Sequence, residues 1–233
     1  RRRPPIALPM DTDDGRHLKR CAELLKHAVL VEKGDVHPAR FVEAGKKFCK
    51  LLEGLGPFVE AGKNVIKVED SMESIEEWDS LLRLLQLERD SGVHGSGSDL
   101  KDPSAAIGLV WVCRFLTFWD EICMLQIQPA PADGTTSDSF KQVIESAFKH
   151  NLQPFTGWVS QRSFEVGLQA LPPWESIRTK LAPPDAAIFE EDVLTWMDAS
   201  QVAGGVGGTQ RCRVRLQAVW GRGWGGAGGA LGR

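Results

Sequence analysis

The 233-residue chain has no CxxC pair among its five cysteines, Cys21, Cys49, Cys113, Cys123 and Cys212. It also lacks the GxSxG, HExxH and P-loop signatures. Without paired cysteines there is no redox dithiol or zinc ribbon, and an odd count favours reduced thiols over a disulfide framework. Without the signatures, hydrolase, metalloprotease and nucleotide-binding readings have no anchor. The five histidines (His17, His27, His37, His94 and His150) are scattered, and none stands at metal-pair spacing from a cysteine. The expectation is a protein that is not an enzyme, with no cofactor and no metal. The opening RRRPPIALPMDTDDGRH has no long apolar run, so it is not read as a secretory signal. A cytoplasmic, monomeric protein is expected. Strand-like alternation is absent as well, which points to an all-α chain.

A net charge of −3 hides an uneven distribution. Residues 1–3 are arginines, and residues 202–233 hold five more with no acid. Without those eight arginines, 20 basic residues face 31 acidic ones. A body so acidic argues against nucleic acid as the main partner, because phosphate binding needs Lys and Arg.

Apolar residues recur at helical spacing from Leu18 onward. They predict helices over LKRCAELLKHAVLV, over 38–55 until Gly56-Pro57, over 57–72 and over 74–89. Asp102-Pro103 reads as a cap followed by a first-turn proline. It would open the most apolar segment, AAIGLVWVCRFLTFWDEICMLQIQ (105–128). Arg114, Asp120 and Glu121 interrupt that segment, so a buried core helix is expected rather than a membrane span. Further helices are expected at 139–152, from 156 to 171, and within 183–200. Loops are read at 91–99 and 129–139, and Pro172-Pro173 as a stop.

The organisation expected is a disordered segment 1–17, a helical domain 18–200 and a Gly/Arg-rich tail 201–233. The last 32 residues hold 11 of the 24 glycines and show no periodicity. Gln-Val-Ala at 201–203 can be encoded with an exon–intron junction, so translated intron is the preferred reading of the tail. A flexible arginine–glycine arm is the alternative, with an RNA-associated role as the remote function it would imply.

The hexamer FVEAGK occurs at 41–46 and again at 58–63. After the first copy comes Lys47 and after the second Asn64. Glu60, Asn64 and Lys67 fall at i, i+4 and i+7, one polar stripe on a helix. By spacing alone a solvated face fits the stripe, as it fits Glu43, Lys47 and Lys50 in the upstream copy. An Asn amide both donates and accepts, which suits hydroxyl recognition. Trp111 and Arg114 lie three apart on one helical face. A buried Arg needs an anion or acceptors. One reading is an internal salt bridge to a carboxylate of the third helix. The other is an aromatic face beside a fixed cation, suited to a polar-headed ligand.

Taken together, these residues resemble the glycolipid transfer protein family. The resemblance runs from about Leu51 to Leu181. Its carriers are Glu60, Asn64 and Lys67, then Trp111 with Arg114, then FTGW at Phe155–Trp158. It implies an all-α two-layer helical sandwich of about eight helices. The implied ligand is a sphingolipid, with its headgroup at Glu60, Asn64, Lys67, Trp111 and Arg114. Trp158 would dip into the membrane during a peripheral, transient contact. Ile107, Val110, Phe118 and Phe164 are the expected lining of an acyl-chain cavity. The sequence departs from the family pattern in three places: Glu60 stands for the usual Asp, Thr156 for a His that orients the ceramide amide, and the link between Gly56 and Asn64 is shorter than the family norm.

The function this implies is non-enzymatic transfer of sphingolipids, with Asn64 and Trp111 favouring a neutral sugar. Ceramide-1-phosphate-type transfer, or a lipid sensor on the same fold, is the alternative.

Overall fold

The computed structural model describes residues 14–53, 59–75, 77–95, 100–128 and 140–204, and Val219. Nine α-helices lie among them. These are α1 (His17–Ala28), α2 (Pro38–Leu51), α3 (Val59–Ser74), α4 (Leu81–Asp90), α5 (Ala105–Ile127), α6 (Phe140–Asn151), α7 (Trp158–Gly167), α8 (Trp174–Leu181) and α9 (Ala186–Gly204). α1 packs on α2 and α9, while α5 packs on α3, α6 and α9. Contacts of α2 with α3 and of α5 with α9 join these sets into the two-layer helical sandwich.

Helix α5 is the centre of the fold. Fifteen of its 23 residues are buried, including both Phe118 and Trp119. Its start is fixed by polar groups rather than by Asp102-Pro103. Ser104 is the N-cap, and its hydroxyl accepts from Ile107 N at 3.1 Å. The first two amides of the helix, Ala105 N and Ala106 N, donate to the carboxylate of Glu88 in α4 at 2.5 and 3.1 Å. Glu88 is itself 2% exposed and bonded to His94 Nε2 at 2.9 Å and Ser71 Oγ at 3.1 Å. These bonds satisfy amides that every helix start leaves without an intrahelical partner. They also tie α4, the end of α3 and the start of α5 together.

Two glycines set how closely α3 approaches its neighbours. A Cβ on Gly108 of α5 would stand 2.5 Å from the backbone oxygen of Asn64 and 3.1 Å from Lys67 Cβ. A Cβ on Gly45 of α2 would stand 3.0 Å from Val65 Cγ2. α3 is therefore seated between α2 and α5, at a distance that only glycine permits on the Gly108 side and that leaves little room for a Cβ on the Gly45 side.

Several expectations are corrected. The fourth helix begins at Leu81, not 74, because Ser80 caps it by accepting from Arg83 N at 3.3 Å. Before it, Trp78 Nε1 donates to Met72 O at 3.0 Å, holding that segment in a turn. A two-residue hairpin, β1 (Val29–Leu30) with β2 (Asp35–Val36), follows α1 and turns at Gly34, whose φ is +59°. Helix α8 was not expected, because Pro172-Pro173 reads as a stop; in the fold Pro173 is its N-cap. Helix α9 runs to Gly204 with Ala203 buried, three residues beyond the expected Gln201 boundary. At the other end, Arg16 already bonds Asp192 of α9, and α1 starts at His17. Cys113 is disulfide-bonded, so the all-reduced expectation fails there. Cys21, Cys49 and Cys123 are free thiols. The expected terminator Gly56-Pro57, the 129–139 loop and most of the tail lie outside the described residues.

Candidate headgroup site and apolar cleft

Asn64 and Lys67 are one turn apart on α3, and Gly108 and Trp111 are one turn apart on α5. The close approach at Gly108 brings these two turns together. Asn64 is 9% exposed. Glu60 occupies the first turn of α3, four residues before Asn64, and its side chain lies outside the described residues. Lys67 does not point to open solvent. Its Nζ lies 2.8 Å from Asp102 Oδ1 and 3.0 Å from Asp102 Oδ2.

Arg114, one turn after Trp111, is 6% exposed. Its guanidinium carbon is 5.0 Å from the centroid of the Trp111 ring and 3.6 Å from that of Phe155. Nη1 is buried without a hydrogen-bond partner. A salt bridge from Arg114 to a carboxylate of the third helix, one of the two readings, is not among the described contacts. Ring faces stabilise the cation instead, and burial depresses its pKa to about 10. A buried guanidinium with an open N–H is a strong site for an incoming acceptor.

Phe155 belongs to the 3₁₀ turn Gln153–Phe155, which leads into α7. Gln161 Nε2 donates to Thr156 O at 2.8 Å, and Thr156 Oγ1 donates to Gln153 O at 3.1 Å. The Thr156 hydroxyl is thus engaged within its own turn. The next helix opens with Trp158, 76% exposed, and Val159, 68% exposed.

An apolar cleft lies between α1, α2, α3, α5 and α9. Its walls are Cys21 and Leu25, then Phe41, Ala44, Gly45, Phe48 and Cys49, then Val65, then Val112, Phe115 and Leu116, and finally Trp196. The closed cleft has a volume of about 20 Å³, room for about one water. Phe48 and Trp196 face each other across it, stacked with centroids 4.2 Å apart. Burial pushes the thiol of Cys21 up to about 12 and that of Cys49 up to about 11, so both stay neutral and the walls stay uncharged. None of Ile107, Val110, Phe118 and Phe164 lines this cleft. All four are packed in the core, Phe164 stacked on Phe148 with centroids 3.7 Å apart. The reason is that α5 is apolar on every side, so its periodicity does not reveal which face meets a void.

Polar partners back the cleft wall. Trp196 Nε1 donates to Asp120 Oδ1 at 2.9 Å, and Ser200 Oγ to Asp120 Oδ2 at 2.6 Å. Burial raises the pKa of Asp120 to about 7, against the lowering effect of these two bonds. Among the described residues no group of His, Cys, Asp and Glu side chains could hold a metal ion, and no helix is long and apolar enough to cross a membrane.

The family model for the glycolipid transfer protein matches residues 36–183, well over half of the chain. The chain belongs to the glycolipid transfer protein family. No curated protein matches it by sequence. Solved structures agree on the fold. A point mutant of the Arabidopsis protein accelerated-cell-death 11, complexed with a ceramide-1-phosphate, superposes with a TM-score of 0.67 at 18% identity, covering 94% of this chain and 100% of that one. Human ceramide-1-phosphate transfer protein, also bound to its lipid, gives 0.66 at 14% identity, covering 87% and 96%. A fungal glycolipid transfer protein gives 0.64 at 17% identity, covering 83% and 92%. Neighbours of both headgroup classes share this fold, so fold alone does not choose between sugar and phosphate.

Proposed function

We propose that this protein binds one sphingolipid at a time and carries it between membranes in the cytoplasm without making or breaking a bond. The observation that carries this reading is the crossing at Gly108. There Asn64 and Lys67 of α3 pack against Gly108 of α5, one turn before Trp111, and these helices also supply walls of the apolar cleft. Trp111 would form the platform for the headgroup, with Glu60, Asn64, Lys67 and Arg114 as its polar surround. A neutral sugar suits the mixed donor and acceptor character of Asn64.

Docking would begin at Trp158 and Val159, adjacent exposed apolar residues at the start of α7. Trp suits the interface because its ring is apolar and its N–H can stay wet. The hydrocarbon chains would then part the cleft walls. Each buried CH2 contributes about 0.8 kcal/mol in the bilayer, and an apolar cleft restores that term. The headgroup contacts are left to discriminate.

One observation favours a second reading within the same class, a phosphate headgroup. Nη1 of Arg114 is buried and lacks an acceptor, and a phosphate oxygen would supply one.

Transfer of fluorescent galactosylceramide from donor to acceptor vesicles tests the proposal. The full chain should accelerate transfer, and Trp111→Ala or Asn64→Ala should lower the rate by about tenfold or more, the loss of a stacking or a hydrogen-bonding contact. Unchanged transfer by both variants would overturn the site assignment.

A further inference from the structure

Asp102, read from the sequence only as a helix cap, is the residue that engages Lys67. Both its oxygens share the one ammonium, at 2.8 and 3.0 Å. Lys67 comes from α3 and Asp102 from the segment just before α5, and the two elements are close at Gly108, where an added Cβ would stand 3.1 Å from Lys67 Cβ. The pair is open to a ligand: the Lys67 side chain is 23% exposed and that of Asp102 is 53% exposed. Arg114, the other cation of the patch, is covered by the rings of Trp111 and Phe155. Of these two cations the more exposed, Lys67, is therefore neutralised, while Arg114 is buried between rings with only Nη1 left without an acceptor.

We propose that Asp102 sets the class of headgroup this site accepts: by neutralising Lys67 it selects an uncharged, hydroxyl-bearing sugar and disfavours a phosphate monoester. The inference rests on the sphingolipid reading above and deepens it. An ammonium has three N–H donors and a carboxylate has several acceptor sites. The pair can keep its mutual bond while offering a donor and an acceptor side by side, the complement of neighbouring sugar hydroxyls. A phosphate monoester offers acceptor oxygens and carries between one and two negative charges near neutral pH. It can use the ammonium, but it meets the adjacent carboxylate as a like charge, the arrangement by which interfaces reject wrong partners. Because the pair is exposed, it contributes little to folding, and variants at Asp102 retain the fold.

The experiment compares labelled galactosylceramide and labelled ceramide-1-phosphate, each by vesicle transfer and by binding of its water-soluble short-chain form. The proteins are wild type, Asp102→Asn, Lys67→Gln and the double variant. Wild type should prefer galactosylceramide. Asp102→Asn should shift the ratio toward ceramide-1-phosphate by about fivefold, the scale of one exposed ion pair. The shift should shrink in high salt and vanish in the double variant. A ratio that moves less than twofold in Asp102→Asn, or a wild type that already prefers ceramide-1-phosphate, overturns the inference. If short-chain binding shifts as expected while neither lipid is transferred, Asp102 keeps its role and the transfer reading falls. If neither short-chain lipid binds, both fall.

Discussion

The guanidinium of Arg114 lies 3.6 Å from the centre of the Phe155 ring. This contact joins α5, which carries Trp111, to the turn that precedes the exposed Trp158. Among the described residues the cation there has ring faces as neighbours and no ion-pair partner, and its Nη1 has no acceptor. Replacing a buried charge by an apolar side chain of similar length is often neutral or stabilising. Arg114→Met should therefore leave unfolding free energy within about 1 kcal/mol of wild type in urea denaturation. Lipid transfer by the same variant should fall several-fold. A large loss of stability with normal transfer would make Arg114 a purely structural residue.

Gly108 offers a sharper geometric test. A methyl group there meets the Asn64 carbonyl at 2.5 Å, and backbone does not yield as a flexible side chain would. Gly108→Ala should cost roughly 1–3 kcal/mol, the usual range for overpacking. It should also impair headgroup binding, since α3 must move away from α5. Thermal melts beside transfer rates measure both. Gly62 of α3, whose added Cβ would meet nothing within 4 Å, is the control.

Glu88 predicts a pure stability effect. Its carboxylate receives Ala105 N, Ala106 N, Ser71 Oγ and His94. Glu88→Ala leaves two buried helix-start amides without acceptors and should cost about 3 kcal/mol or more. The midpoint of chemical denaturation should drop accordingly. A small change would mean that water or Ser104 takes over the two amides.

Asp120 predicts a pH dependence. Its pKa, ordinarily near 3.8, is raised to about 7 in the fold. Between those values the folded state holds a proton that the unfolded state has released. Its contribution is thus fully present below about pH 4 and is lost as pH rises toward 7, at ~1.4 kcal/mol per pH unit while only one state is protonated. Asp120→Asn should remove this slope, read as the difference between the two stability profiles from pH 4 to 8. Ser200→Ala, which deletes a bond favouring the ionised form, should raise the upper end of the window. Parallel profiles for wild type and Asp120→Asn would contradict the buried acid.

Local pattern marked most of the helices and four residues of the candidate site. Asn64 and Lys67 share a stripe because both sit on α3, and Trp111 and Arg114 because both sit on α5. Partners from distant positions left no such trace. Asp102 lies 35 residues from Lys67, Phe155 is 41 beyond Arg114 by number, and Asp120 meets Ser200 across 80 positions. The cleft walls escaped for the same reason, since α1, α2 and α9 each contribute a few apolar residues that look like ordinary core. α8 was missed because a proline pair can begin a helix as well as end one. Gly108 sits in an apolar run where glycine only lowers helix propensity, and its value emerges when Asn64 packs against it.

The most direct measurement is native mass spectrometry of the full chain recovered after incubation with vesicles containing galactosylceramide. The account predicts a complex of one protein and one glycolipid, strongly reduced for Trp111→Ala. A chain recovered free of lipid, or loaded equally by the wild type and Trp111→Ala, would contradict it.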